Sequence, residues 1–402
     1  MGCGVCEDIC PKHCISIRKG RLNIPTVDEE KCINCGLCRK VCAGKGVQIE
    51  ERANMLFGAT PHYNEMLGHY FHLYKGFSKE YNIRFHCASG GCTSHFLIWL
   101  LEKGIIDGAV VTGYEKHNPM GPRTYIAHNR DEVLAGKSSK YCVVSMNGIA
   151  KEIHNTPGRY VVVGLPCHIH AFRKYCDLDK TVGERIIGFF TIFCSGNKNM
   201  DSQAYMLWRY NIDKKDLYEF SYRDEGCMGS VFFRDKSGSP LCNPISYSSF
   251  YSGVRAFFSI PRCGVCSDFF GELGDIGFGD LNTNRPDDDP IGINSLITRS
   301  DYWDKLLRQC ASEGVLWIDD LDENTMIKVN GHCLKKKGDG IYAERNIRNI
   351  CGLNNPIFDN LTSFRPTFIS YIRCFSAIVQ RFIGSHRALW PIIKVLDRNK
   401  IK

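Results

Sequence analysis

The chain has 402 residues, too many for one small core and about right for two or three domains. Its 44% hydrophobic and 23% charged content is that of a folded globular protein, and no uninterrupted apolar run of about eighteen residues predicts a transmembrane segment. The net charge of +8 fits an acidic partner or an anionic cofactor, but no basic stripe or recognition motif accompanies it, so no nucleic-acid partner is expected. Of the 22 cysteines, eight lie within the first 42 residues and no secretory leader is read ahead of them. That usage predicts a reducing, cytoplasmic setting with thiolates holding metal, not a disulfide scaffold.

Cys32, Cys35, Cys38 and Cys42 form a complete C-x2-C-x2-C-x3-C run, and Cys3, Cys6 and Cys10, followed by Pro11, repeat its last three members. This is the spacing of a two-cluster 4Fe-4S conductor, in which the fourth cysteine of each run crosses to the other cluster. Cys10, Cys32, Cys35 and Cys38 would then hold one cluster, and Cys3, Cys6 and Cys42 would give three ligands to the other. The absent fourth ligand has three readings: a start further upstream, Cys14 as a substitute, or a three-iron or vacant first site. The upstream start is favoured because every other spacing is intact. Zinc is the alternative for paired CxxC motifs, and the overlapping triplet and quartet argue against it. Ile15, Ile17, Leu22 and Ile24 predict short strands, with a turn at Lys19, Gly20 and Arg21.

A segment rich in Gly, Pro, His and Tyr, from about Phe57 to Glu80, reads as a linker. Beyond it, Ala88-Ser89-Gly90-Gly91-Cys92-Thr93 opens a helix marked by Phe96, Leu97, Leu100 and Leu101. Such a loop presents backbone N–H groups and can cradle a phosphate, although many such turns bind nothing. Asp107 to Gly113 predicts a turn and a buried strand. Lys137-Ser138-Ser139-Lys140-Tyr141 precedes a predicted short strand and could clamp an anion, or simply be solvated.

Two further apolar runs, Tyr160 to Pro166 and Ile186 to Phe193, read as buried strands of a mostly parallel sheet, ending at Cys167 and Cys194. Strand C-termini are where such sheets place reactive groups. With the Cys263 and Cys266 pair, these make four loop thiolates, read as a further four-iron site; buried structural thiols are the alternative. His168 and His170 flank the first of them and could tune a cluster or shuttle a proton. The other histidines show no HExxH-type spacing, and neither a GxSxG elbow nor a Walker loop is present. Gly274 to Asp280 is glycine-rich enough to bring a cofactor ring against the backbone, or is a twisted strand and turn. Asn282 to Pro290 predicts an acidic loop, Gly292 to Ile297 a strand, and Asp301 to Cys310 a helix. From Leu361 the residues Phe364, Phe368, Ile369, Ile372, Phe375, Ile378, Val379, Phe382 and Ile383 carry an apolar helical stripe among arginines and lysines. It is expected to cap the main core, with docking on a partner or peripheral contact with an anionic membrane as the alternatives.

Together CGVCEDICPKHC, CINCGLCRKVC, ASGGCTSHFLIWLLEKGIIDGAVVTG, SSKY, VGLPCHIHAFRKY, FCSG, PRCGVCSDF and GDIGFGD, in that order over about residues 1 to 335, resemble the beta-subunit family of coenzyme F420-reducing hydrogenases and F420 dehydrogenases. The resemblance implies an α+β ferredoxin-like N-terminal domain followed by an α/β flavin-binding domain with a mixed, largely parallel sheet. The expected division is a cluster domain at 1–55, a linker at 56–80, a flavin and cluster domain at 81–335 and, outside the resemblance, a basic helical extension at 336–402. It also implies two or three 4Fe-4S clusters and FAD. FAD would be contacted by Ser89, Gly90, Gly91 and Thr93, by Ser139 and Lys140, and by Gly277, Gly279 and Asp280. Cys167, Cys194, Cys263 and Cys266 would hold the inner cluster. Two departures stand out: the first ferredoxin cysteine is absent, and Ala43 replaces the usual proline.

The implied function is an iron–sulfur flavoprotein oxidoreductase passing electrons between a hydride donor or acceptor, such as F420, and a one-electron carrier, either ferredoxin or another redox subunit. The alternatives are a ferredoxin-dependent reductase of an organic substrate in polysaccharide-related metabolism, and a non-catalytic electron-transfer or scaffold subunit. Oligomeric state is not legible.

Overall fold

The computed structural model describes residues 2–281, 289–331, 338–361 and 365–397. At the N-terminus, two short helices, Val5–Asp8 and Leu37–Lys40, each follow a glycine in the left-handed region, Gly4 at φ 85° and Gly36 at φ 75°. The repeated C-G-V-C and C-G-L-C stretches thus fold alike, each turning its second cysteine into a helix. Between them Ile15–Arg18 pairs antiparallel with Ile24–Val27, the hairpin expected from the sequence.

The body of the molecule is an eight-stranded sheet. Its order is Leu316–Asp320, His72–Ser78, Asn294–Thr298, Ile276–Asp280, Ile186–Ile192, Tyr160–Gly164, Gly108–Glu115, Asn118–Ala127. The strands at 108–115, 160–164, 186–192 and 276–280 run parallel, and every flanking pair is antiparallel. The sheet is therefore mixed, with its parallel pairing confined to the centre. The central strands are apolar because both faces are covered. Successive residues point to opposite cores: Val110, Val162 and Phe189 meet helices Ile149–Asn155 and Pro166–Leu178, while Ala109, Val161 and Phe190 meet helices Cys92–Glu102 and Asp301–Ser312.

Two sequence expectations are corrected here. The segment read as a linker contains helix Ile49–Phe57 at its edge, a small hairpin (62–64 with 68–70) and strand His72–Ser78, which is hydrogen-bonded on both sides inside the large sheet. No strand follows Tyr141; residues 141–146 form no regular element and bend at Cys142. That stretch instead reaches the N-terminal unit, where the Met146 N–H donates to the Cys3 carbonyl at 2.7 Å. The expected acidic loop lies outside the described residues except for Asp289 and Pro290, and Phe364 of the apolar stripe lies outside them too.

The N-terminal unit is welded to the sheet. Val5, Val41, Ala43, Val47 and Ile49 share one core with Ile149, Ile169 and Phe172. The Asp8 carboxylate accepts from the N–H groups of Gly148 (2.6 Å) and Ala150 (3.0 Å), satisfying the start of helix Ile149–Asn155. A second, antiparallel sheet (219–224, 230–234, 245–246) has its own core around Tyr222, Phe233 and Phe258. The C-terminal helices Phe368–Ser385 and Trp390–Asp397 pack there, through Trp390 and Ile393.

Candidate redox site

Strand ends and the loops after them bring four cysteines to one place. Strand Tyr160–Gly164 ends before Pro166, which starts a helix with Cys167 in its first turn. Cys194 follows strand Ile186–Ile192, where its N–H donates to the Phe269 carbonyl at 3.0 Å. Cys263 lies in the 3-10 turn Pro261–Val265, and Cys266 immediately follows it. All four line a single cavity, otherwise walled by Val143, Val144, Leu165, Pro166, Ile260 and a few polar groups. Burial pushes the Cys167 thiol well up, and the neighbouring Cys194, Cys266 and Cys263 raise it further. As thiolates these four would repel one another in an apolar pocket, and a positively charged soft-metal centre would relieve that repulsion. Among the described residues, no three His, Cys, Asp or Glu side chains are grouped tightly enough to hold one metal ion.

The N-terminal cysteines fall into two adjacent groups. Cys3 and Cys6 are raised first by burial, and both feel Cys42. Cys10 and Cys14 lie with their sulfurs 3.3 Å apart, and Cys14 also feels Cys32. Burial raises the Cys10 thiol, but hydrogen bonds involving Cys14 and the backbone of Lys12 and His13 outweigh it and hold the group below its ordinary value. Cys14 is thus placed beside Cys10 and Cys32, with Cys6 packed against the same buried group. Cys6 also feels Cys38, and Cys167 feels Cys3. The three groups therefore lie in series, the Cys3 group in the middle. Cys35, of the outer set, is exposed.

The expected anionic-cofactor loops also converge, around a residue that the sequence reading missed. Ser89 hydrogen-bonds Asp280, and Arg223 donates from Nη1 to both Asp280 oxygens, at 3.0 and 2.8 Å. Ser138 Oγ donates to the Arg223 carbonyl at 2.5 Å. Arg223 is 2% exposed, and its Nη2 is buried without a hydrogen-bond partner. A buried orphan guanidinium N–H beside a Ser-Gly-Gly helix start suits a phosphate-bearing group. Gly91 caps helix Cys92–Glu102, with Thr93 in its first turn, but the Cys92 N–H is already taken by Asn294 Oδ1 at 3.0 Å. Nothing in the pattern Ser-Tyr-Arg-Asp around Arg223 signals a site; only the fold brings it to Asp280.

Two details depart from expectation. Lys140 does not reach outward: its Nζ donates to the carbonyls of Gly136, Lys137 and Ser138, and burial pushes the ammonium down to about 7. Ser139, between the last of these acceptors and Lys140, is partly exposed. Gly277 and Gly279 lie in a plain strand, and a Cβ on either would press into the Phe193 ring. The room that the glycines leave is filled by that ring and not left for a cofactor. His168 lines the thiol cavity and is buried, which pushes its imidazole down to about 4. His170 Nε2 meets Asp268 Oδ2 at 2.7 Å, both side chains fully enclosed. Asp268, two residues after Cys266, also accepts from the Gly271 and Glu272 N–H groups and so fixes the loop behind that thiol.

Comparison with known proteins accounts for this arrangement. Residues 73–151 match the coenzyme F420 hydrogenase/dehydrogenase beta subunit N-terminal model, and residues 158–324 its C-terminal model. Residues 1–45 match a 4Fe-4S dicluster domain. The chain belongs to the coenzyme F420 hydrogenase/dehydrogenase beta-subunit family. It is an iron–sulfur protein of an oxidoreductase family.

Among family relatives, the coenzyme F420-dependent sulfite reductase of Methanocaldococcus jannaschii is 22% identical over 75% of this chain; the chain spans 50% of that protein's length. The coenzyme F420 hydrogenase subunit beta of Methanothermobacter thermautotrophicus is 25% identical, over 64% of this chain and 87% of that one. Its counterpart of the same description in Methanosarcina barkeri is 22% identical, over 64% and 84%. A chain of the F420-reducing [NiFe] hydrogenase complex from Methanosarcina barkeri superposes with a TM-score of 0.57 at 19% identity, over 73% of this chain and 99% of that chain, a likeness of fold. The family match ends at residue 324, so the C-terminal helices lie outside it.

Proposed function

We propose that this chain joins a two-electron hydride exchange to a one-electron iron–sulfur conductor, with coenzyme F420 or a chemically similar molecule as its small-molecule partner. The observation that carries this reading is the serial order of the three thiol groups. It runs from the cavity at Cys167 through Cys3 to Cys10 and the exposed Cys35. Cys167, Cys194, Cys263 and Cys266 are proposed to hold one 4Fe-4S cluster, and Cys10, Cys32, Cys35 and Cys38 a second. Cys3, Cys6 and Cys42 are proposed as three ligands of the group between them.

FAD is proposed at Ser89, Gly90, Gly91, Thr93 and Asp280, with Arg223 supplying the buried cation and the Ser139 loop closing the side. FAD supplies exchange of a hydride on one side and of single electrons on the other. The chain's own contribution is to hold the anionic cofactor and to keep water from the thiol cavity with Val143, Val144 and Ile260. Lys140 would shape its loop without touching the cofactor. The exposed edge at Cys35 is the proposed contact for ferredoxin or another redox subunit, in the cytoplasm.

The test is anaerobic purification with iron, sulfide and flavin counted per chain, then assay of F420 reduction and oxidation against a one-electron dye. About one flavin with ~8–12 irons and F420 turnover is the expected result. Clusters with flavin but no F420 turnover would move the assignment to a reductase of another organic substrate. Clusters without flavin would leave an electron relay, and zinc without sulfide would overturn the redox reading.

A further inference from the structure

Helix Phe368–Ser385 is amphipathic the wrong way round for a helix that only caps a core. Its buried face is made of small or polar residues, Ser370, Cys374 and Gly384, joined by Arg381, which is paired with Glu344 at 3.1 Å. Gly384 sits so close to the Phe257 carbonyl that no side chain fits there. The opposite face carries the large apolar residues. Phe368 is 80% exposed, Ile372 52%, Phe375 66%, Val379 42% and Phe382 59%. Their spacing of three and four residues keeps them on one line, about 21 Å long at 1.5 Å per residue from Phe368 to Phe382. The following helix, Trp390–Asp397, also buries one side, through Trp390 and Ile393, and leaves Ile392, Val395 and Leu396 exposed. Exposed apolar residues of this size and continuity mark an interaction surface.

The charges around the stripe say what kind. From Asn360 to Leu396 the sequence contains no acidic residue, whereas Arg365, Arg373, Arg381, Arg387 and Lys394 are basic. Within the described residues Arg381 is the member of this set that is held in an ion pair, and Arg365, Arg373 and Arg387 are exposed. The carboxylates against this helix, Asp339 and Glu344, lie on its buried side, at Ser370 and Arg381. A protein interface is rimmed by polar groups of both signs; a stripe of Phe, Ile and Val whose own segment carries basic and no acidic residues matches the interface of an anionic bilayer, where apolar side chains enter the acyl boundary and arginines meet the headgroups. Among the described residues no helix is long and apolar enough to cross a membrane, so such contact would be in the plane of the surface.

We propose that the helix Phe368–Ser385, with the exposed face of Trp390–Asp397, seats this protein peripherally on an anionic lipid surface. The inference does not rest on the redox reading and survives its failure.

The test is flotation of the full-length purified protein with phosphatidylcholine vesicles, with and without phosphatidylglycerol. The expected result is binding to the anionic vesicles that weakens in high salt and is little seen with phosphatidylcholine alone. A variant carrying Ile372→Ser, Phe375→Ser and Phe382→Ser should lose it, and Arg365→Gln with Arg373→Gln should lower it on the order of tenfold. Circular dichroism shows that each variant is folded; if the triple variant is unfolded, the arginine pair alone decides. The proposal is overturned if the wild type does not float with anionic vesicles, or if folded variants float as well as it does. It is also overturned if light scattering shows a dimer that the serine substitutions dissociate, which would make a second copy the occupant of the stripe.

Discussion

Single residues decide which thiols belong together. Cys14 has the spacing of neither run, yet it rests 3.3 Å from Cys10 in a buried pocket. If it is a packing thiol beside the complete set, Cys14→Ser should leave iron per chain unchanged, whereas Cys10→Ser should lower it by about four atoms, read by colorimetric iron assay. Lys140 gives a prediction in pH. Burial holds its ammonium at about 7 against an ordinary 10.5, so the folded chain sheds that proton before the unfolded chain does. Stability should therefore rise with pH across that window and the destabilisation be complete below it. The three carbonyls on Nζ favour the charged form and limit the size of the effect. From pH ~7 to ~9.5 the wild type should gain about 1–3 kcal/mol relative to Lys140→Met in urea unfolding. A flat difference between the two would show that the carbonyls fully offset burial.

At the scale of elements, the sequence was most legible where one element met one chemical demand. The runs before Cys167 and Cys194 are uniformly apolar because both faces of a central parallel strand are covered, and they appear where expected. Strand His72–Ser78 was illegible for the opposite reason. Lys75 and Gly76 break its apolar pattern, and its partner Thr298 lies 226 residues along the chain, so no local signal exists. Arg223 was hidden likewise, since only a long-range approach gives it Asp280. Gly279 looked like room for a cofactor, but the room is taken by Phe193, whose ring cannot be inferred from spacing. Gly279→Ala should accordingly destabilise the sheet by about 1–3 kcal/mol in chemical denaturation. Adding Phe193→Leu should restore part of the loss if ring contact is the cause. If the double variant is no better than Gly279→Ala alone, the strain lies in the strand and not in the ring.

Across the whole molecule, the three thiol groups form a chain with a middle link. Cys6 belongs to that link, feeling Cys3 and Cys42 on one side and Cys38 on the other. If the proposed flavin and clusters are present, Cys6→Ser should leave the absorbance of the outer two groups largely intact while slowing reduction of the outermost group through the flavin by at least about tenfold, as followed by rapid-mixing spectroscopy. Unchanged transfer would mean that the middle group is bypassed. The serial order could not be read from cysteine spacing, which pairs residues within each motif but says nothing about which motif faces which.

The stretch from Val143 to Ala150 touches both ends of this arrangement. Val143 and Val144 wall the inner thiol cavity, Met146 binds the Cys3 carbonyl, and Gly148 and Ala150 receive Asp8. Gly4 closes the same seam, with no room for a side chain against Asn147. Few residues therefore set the separation of the two thiol groups as a ruler does. An insertion or deletion there would change the gap between the centres and the seating of the N-terminal unit at once. The N-terminal unit is consequently not an interchangeable cassette: a foreign ferredoxin grafted onto this body would arrive without Gly4 and Asp8, and so without the registration that brings its first cysteine to the cavity.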